Sequence, residues 1–197
     1  MKAENCALFI LAAGLSTRFG IEDKLMENLG GKPVLSHVIQ TAATVPFAKC
    51  YGIIPITSKR RRELLQSQDF EVLENPSPKT GQGSSLILAA EQAISEDFEG
   101  ICILLGDMPF VPSVHLKSLM DALSDKESAI SLCNQIIMPP MALRRSQLDL
   151  LSKINPKQGA KSLFKNENSA YLPLSNDAAQ DIDTPENLAR LNARLDA

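Results

Sequence analysis

The sequence predicts an α/β fold built on a parallel sheet, and three observations carry that expectation. Short apolar runs alternate with amphipathic helical patterns, which is how the strands and covering helices of such a sheet read. The first run, 7–12, empties directly into Gly14-Leu15-Ser16-Thr17-Arg18-Phe19-Gly20, a loop bracketed by glycines and carrying a cation, with Lys24 just beyond. A later run, 100–105, ends on Gly106-Asp107. That puts a carboxylate at the C-terminal end of a buried strand, where open α/β sheets bind ligands.

A chain of 197 residues with 44% apolar and 22% charged residues can bury a sizeable core, and it reads as one domain over 1–197. A net charge of −3 provides no broad basic field, so nucleic acid is not an expected partner. No apolar run approaches the length of a membrane span, and the start Met1-Lys2-Ala3-Glu4-Asn5 lacks a signal-peptide pattern. Cys6, Cys50, Cys102 and Cys133 are far apart, lie in or beside apolar runs and form no C-x-x-C. They are expected to be buried reduced thiols, which fits a cytoplasmic location and gives no cysteine-ligated metal.

Taken in order, strands are expected at 7–12, 50–55, 71–73, 100–105 and 128–133. The Gly30-Gly31 turn opens a helix over 33–44, with Pro33 near its first position. A second helix covers 58–68. Its Lys59-Arg60-Arg61-Arg62 run reads as a solvated face, because Glu63 and the following polar residues continue that surface. A third helix covers 84–94. In the fourth, Leu116, Leu119, Met120 and Leu123 recur at core-facing spacing. The last helix has Thr184 as N-cap, Pro185 in its first turn, Glu186 near the positive end of the dipole, and Leu188, Leu191 and Leu195 as its buried stripe. His37 and His115 fall inside helical patterns, away from any ligand or triad spacing, and read as surface or half-buried residues.

The chemistry must therefore run without a histidine base. A strand feeding a glycine loop offers backbone N–H groups to phosphate oxygens, and Arg18 and Lys24 can neutralise the remaining charge. The spacing is neither a Walker A loop nor the G-x-G-x-x-G of dinucleotide binders. A hard carboxylate at Asp107 suits Mg²⁺, which takes one or two protein carboxylates and completes its shell with water and phosphate oxygens. Lys79-Thr80-Gly81-Gln82-Gly83-Ser84-Ser85 is a glycine loop opening a helix, able to hold a base or sugar through backbone groups and hydroxyls. In Asp181-Ile182-Asp183, an extended backbone would place both carboxylates on one face.

These segments carry a family resemblance. Leu11-Ala12-Ala13-Gly14-Leu15-Ser16-Thr17-Arg18-Phe19-Gly20 with Lys24 resembles the signature loop of MocA/MobA-type nucleotidyltransferases. Leu105-Gly106-Asp107-Met108-Pro109 resembles the same family's metal-binding box. Asp181-Ile182-Asp183-Thr184-Pro185-Glu186-Asn187 resembles the box whose second acidic position faces the metal from across the sheet. The resemblance covers nearly the whole chain, from Leu8 to Leu195.

It implies a three-layer α/β/α fold with a mixed, mostly parallel, Rossmann-like sheet. It further implies nucleotide contacts from Leu11, Ala12, Ala13, Gly14, Ser16, Arg18, Lys24, Gly81, Ser84, Ser85 and Asp107. Catalytic roles fall to Arg18, Lys24 and Asp107, and Mg²⁺ to Asp107 and Asp183, with Asp181 a weaker candidate. Ala12-Ala13 is closer to the cytidylyl-transferring branch, so CTP and molybdopterin are the expected substrates, with transient contact to a molybdoenzyme. Transfer to a sugar phosphate or methylerythritol phosphate is the enzymatic alternative, and a non-catalytic module that delivers the cofactor is the alternative of another class. Two departures fall where the family binds its acceptor. Met138-Pro139-Pro140 lacks the usual Gly and His, and Pro156-Lys157 replaces a Gly-Asp pair.

Overall fold

The computed structural model describes residues 1–16, 19, 20, 22–157, 159 and 167–195. Among the described residues, nine strands and six α-helices follow in chain order. They are β1 (Cys6–Leu11), β2 (Asn28–Leu29), β3 (Lys32–Pro33), α1 (Val34–Ala43), β4 (Lys49–Pro55), α2 (Lys59–Gln66), β5 (Glu71–Asn75), α3 (Gln82–Ser95), β6 (Gly100–Leu105), α4 (Ser113–Ala122), β7 (Ser128–Cys133), β8 (Ile136–Arg144), α5 (Leu148–Leu151), β9 (Ser169–Pro173) and α6 (Pro185–Leu195).

Seven strands form one sheet in the order β5-β4-β1-β6-β8-β7-β9, and β2-β3 form a small hairpin closed by Gly30 and Gly31 at positive φ. β1 pairs in parallel with β4 and β6, β4 with β5, and β7 with β9, while β8 runs antiparallel to both β6 and β7. The fold is thus the expected three-layer α/β/α arrangement on a mixed, mostly parallel sheet.

The layers follow from the two-residue period of a strand. Along β1, Cys6, Leu8 and Ile10 face one core with α1, α4 and α6. Ala7, Phe9 and Leu11 face a second core with α3 and α5. Both faces are covered, so all six residues of β1 are buried and the strand reads as an unbroken apolar run.

Several local expectations need correction. β8 and β9 had no strand signal. Two prolines inside 136–144 argue against a paired strand, yet they are accommodated where the β7–β8 register shifts between Ile130 and Ser131, with Met141 and Met138 the flanking partners. His115 is buried, and its Nε2 lies 2.7 Å from Ser131 Oγ. Ser131 spends its own proton on Pro140 O, so His115 Nε2–H is the donor. Leu188 and Leu191 are buried as expected, but Leu195 is half exposed. All four cysteines are free, with Cys50 half-buried and the others buried. No described helix is long and apolar enough to cross a membrane.

Candidate active site

The strand order supplies the cleft. From β1 the chain builds outward through β4 to β5, then crosses to β6 on the other side of β1. The loops leaving the C-terminal ends of β1 and β6 both lead to helices on one face of the sheet, α1 and α4, and with the start of α3 on the other face they border a crevice beyond the strand ends, where open α/β sheets bind ligands. The crevice is a cavity of ≈ 280 Å³ lined by Leu11, Ala13, Gly14, Lys24, Leu25, Pro78, Gly81, Gln82, Ser85, Leu105 and Asp107.

The floor of the cleft is a charge cluster drawn from three distant parts of the sequence. Lys24 sits in a tight turn whose N-cap, Asp23, accepts from Leu25 N at 3.2 Å. Its Nζ donates to Asp107 Oδ2 at 2.7 Å and to Asp183 Oδ1 at 3.0 Å. A backbone bond from Ile182 N to Asp107 O (3.0 Å) pins the 181–183 segment against the β6 loop, with the Ile182 side chain fully buried. Burial by itself would lower the Lys24 pKa, but the Asp107 carboxylate, and then Asp183, outweigh it and hold the ammonium above the ordinary lysine value. Burial raises the Asp181 carboxyl, and the charges of Asp183 and Asp107 raise it further.

These residues fit a hard divalent cation. Asp107 Oδ1 is buried and has no partner among the described residues, although one hydrogen bond would normally satisfy it. The Lys24 ammonium stands between the two carboxylates as a cation would. Two carboxylate donors, with no third Cys, His, Asp or Glu completing a ligand cluster among the described residues, suit an ion that keeps water and phosphate oxygens in its shell.

The opposite wall is the start of α3. Gly81 adopts φ +125°, a conformation open to glycine and strained for other residues, and a Cβ there would lie 3.0 Å from Pro156 O. The Pro156-Lys157 turn, expected on the acceptor side, thus packs against the Gly81 loop. Asn75, buried at the end of β5, organises this wall. Its Nδ2 donates to Ser84 Oγ (2.8 Å) and Ser85 Oγ (2.9 Å), and its Oδ1 accepts from Ser77 N.

Of the residues expected from sequence, Leu11, Ala13, Gly14, Lys24, Gly81, Ser85 and Asp107 line the cleft, and Asp183 touches Lys24 beside it. Ala12 is buried behind the loop. Ser16 takes a positive φ, and its Oγ is buried without a partner among the described residues. Ser84 turns inward, donating to Gly81 O at 2.7 Å, so its hydroxyl is spent within the wall. Arg18 lies outside the described residues. A Cβ on Gly106 would meet Leu25, Ala12 and Leu11 O, so this glycine lets the starts of the β1 and β6 loops approach closely.

Sequence reasoning missed Arg61, Asp23 and Asn75. Arg61 was read as part of a solvated face, but it is 4% exposed and forms an ion pair with Asp23, while Lys59 and Arg60 are exposed as expected. The available signal was spacing, since Arg61 lies one helical turn before Leu65 and shares its buried face.

Comparison with known proteins agrees with this layout of an α/β nucleotide-handling protein. Residues 8–171 match the family model described as the MobA-like NTP transferase domain, and the chain belongs to that family. Over 142 residues it is 34% identical to the bifunctional protein GlmU of Buchnera aphidicola, a match covering 71% of this chain and 30% of the relative's length. The chain therefore spans less than a third of that curated relative. Rv0371c of Mycobacterium tuberculosis superposes with a TM-score of 0.82 at 21% identity, covering 98% of this chain and 100% of the other. Rv0371c has also been solved in complex with manganese, where it superposes at 0.77 and 20% identity, covering 95% and 98%. The 4-diphosphocytidyl-2C-methyl-D-erythritol synthase of Anaerococcus prevotii superposes at 0.76 and 16% identity, covering 98% and 96%. At these identities the structural matches speak for the fold.

Proposed function

We propose that the chain forms one nucleotidyltransferase domain that transfers CMP from CTP to the terminal phosphate of molybdopterin. The observation that carries a transferase reading is Lys24 held between Asp107 and Asp183 at the floor of a cleft between the β1 and β6 loops. The CTP assignment draws on Ala12-Ala13 and on the likeness to a diphosphocytidyl synthase.

An acceptor phosphate oxygen attacks the α-phosphorus of the triphosphate. A new P–O–P linkage forms as the α–β anhydride bond breaks, and pyrophosphate leaves. The attacking phosphate is already ionised near neutral pH, so the site needs alignment and charge stabilisation rather than a strong base. Backbone N–H groups of the β1 loop, with Lys24 and Arg18, bind the triphosphate and balance charge on the departing pyrophosphate. Ser85 and the Gly81 loop hold the nucleoside end. Asp107 and Asp183 would hold Mg²⁺ or Mn²⁺, which supplies Lewis-acid neutralisation of the phosphate oxygens when bound.

A second reading, transfer to a sugar phosphate, is favoured by the GlmU match and by Met138-Pro139-Pro140 and Pro156-Lys157, which depart from the family pattern. The test is divalent-cation-dependent pyrophosphate release with CTP, GTP, ATP or UTP, each against molybdopterin and a panel of sugar phosphates. Release with CTP and molybdopterin alone supports the first reading, and release with a sugar phosphate replaces it by the second. Nucleotide binding without release under any pairing would make the chain a binding module. Asp107→Ala is expected to abolish release while leaving the melting transition cooperative; near-normal release would remove Asp107 from the machinery.

A further inference from the structure

Arg61 is the most deeply buried guanidinium among the described residues, and it does not line the cleft. Its Nη1 donates to the carbonyl oxygens of Ala12 and Gly14, the latter at 2.9 Å. Nε donates to both carboxylate oxygens of Asp23, at 3.1 and 2.8 Å, and Nη2 donates to Oδ1 at 2.5 Å. Asp23 Oδ1 in turn caps the turn that carries Lys24. One side chain on α2 thus ties together the loop after β1 and the Lys24 turn.

A trans peptide is planar, with its C=O and N–H pointing in opposite directions. Drawing the Ala12 and Gly14 carbonyls onto Arg61 therefore turns the Ala13 and Leu15 N–H groups away from it, in a loop whose Ala13 and Gly14 line the cleft. Among the described residues nothing accepts from either N–H. Two free donors beside a lysine are the equipment of an anion site. Lysine could not replace the guanidinium, because a single ammonium cannot span two carbonyls and a carboxylate in the planar fork that arginine offers.

We propose that Arg61, paired with Asp23, is a positioning residue for the triphosphate. It preorganises the Ala13 and Leu15 amides as phosphate donors and holds the Lys24 turn in register with them. This rests on the nucleotidyltransferase reading only in so far as the cleft binds polyphosphate.

The test uses the full-length protein with Arg61→Lys and Arg61→Met, and with Arg60→Ala as the exposed neighbour. Binding of CTP and of inorganic tripolyphosphate is measured by calorimetry beside circular dichroism and steady-state kinetics. Both Arg61 variants are expected to weaken tripolyphosphate binding about ten- to a hundredfold, the scale of loss when a binding group is slightly misplaced. The KM for nucleotide should rise in step, with the acceptor KM and Arg60→Ala unchanged. Folded Arg61 variants that bind tripolyphosphate like the wild type would overturn the proposal.

A measurement on the unmodified protein covers variants that do not fold. Tripolyphosphate should shift the amide resonances of Ala13 and Leu15; saturation binding that leaves both unmoved also overturns it. Wild-type protein that binds neither CTP nor tripolyphosphate would sink the nucleotidyltransferase reading itself, and the phosphate role of Arg61 with it. Polyphosphate binding without transfer would sink only the former.

Discussion

Lys24→Met keeps the aliphatic stem and removes the charge between Asp107 and Asp183. Nζ lies 2.7 Å and 3.0 Å from its two carboxylate partners. At an effective dielectric near 20 those separations correspond to attractions of roughly 6 and 5.5 kcal/mol, largely offset by the several kcal/mol each ion loses on leaving water. Removing the lysine leaves the Asp107 carboxylate uncompensated, at a net cost of about 3–5 kcal/mol for a fully buried pair. The lysine, Asp107 and Asp183 side chains are 10%, 20% and 28% exposed, so the lower end of that range applies. In a chain of this size about 3 kcal/mol lowers the melting temperature by roughly 6–12 °C.

The assay is thermal unfolding in a chelator and then with increasing Mg²⁺ or Mn²⁺. The variant should melt well below the wild type in chelator and recover more with added cation. No ammonium then competes for the carboxylates, and binding to the folded state raises its stability by mass action. A variant that melts with the wild type in chelator, or that gains nothing from either cation, would refute both the ion-pair account of Lys24 and the assignment of the carboxylates to a metal.

Two further outcomes are expected. Gly81→Ala forces a Cβ onto a backbone at φ +125° and within 3.0 Å of Pro156 O. It should cost about 1–3 kcal/mol in urea melts and raise the nucleotide KM; an unchanged KM would detach this wall from nucleotide binding. Burial holds the His115 imidazole below its usual 6.5. Between that depressed value and 6.5 the unfolded chain binds a proton that the folded chain does not, so this share of stability is present above 6.5 and lost as pH falls. Urea melts from about pH 7 down to about pH 5 should therefore show a shallower loss for His115→Asn than for the wild type, and parallel curves would refute the neutral buried ring.

The site was legible to the extent that its residues sit at the ends of strongly patterned strands. Ala13, Gly14 and Asp107 were readable because each follows an apolar run that is buried on both faces, and such runs leave few alternatives for where their C-terminal ends lie. The direction of the Ser84 hydroxyl was not legible, because a hydroxyl in a helix's first turn can face a ligand or its own backbone. Only the positions of Asn75 and Gly81 O settle which. β8 was hidden because proline is penalised by a regular ladder, and the β7–β8 register shift that relieves the penalty exists only once both strands are paired.

By itself, the sequence determined the α/β class, the alternation of buried strands with covering helices, the glycine loop after the first strand and the acidic end of β6. These are local properties, set by side-chain period and by what glycine and a carboxylate do at a strand end. Tertiary structure alone decided that Lys24, Asp107 and Asp183 meet within 3.0 Å. It also decided that Arg61 leaves its charged neighbours to bind two loop carbonyls and Asp23. Such contacts join residues far apart along the chain. Neither period nor composition encodes them, because the low-dielectric interior that makes a buried charge seek its partners forms only when the sheet and both helical layers have closed around it.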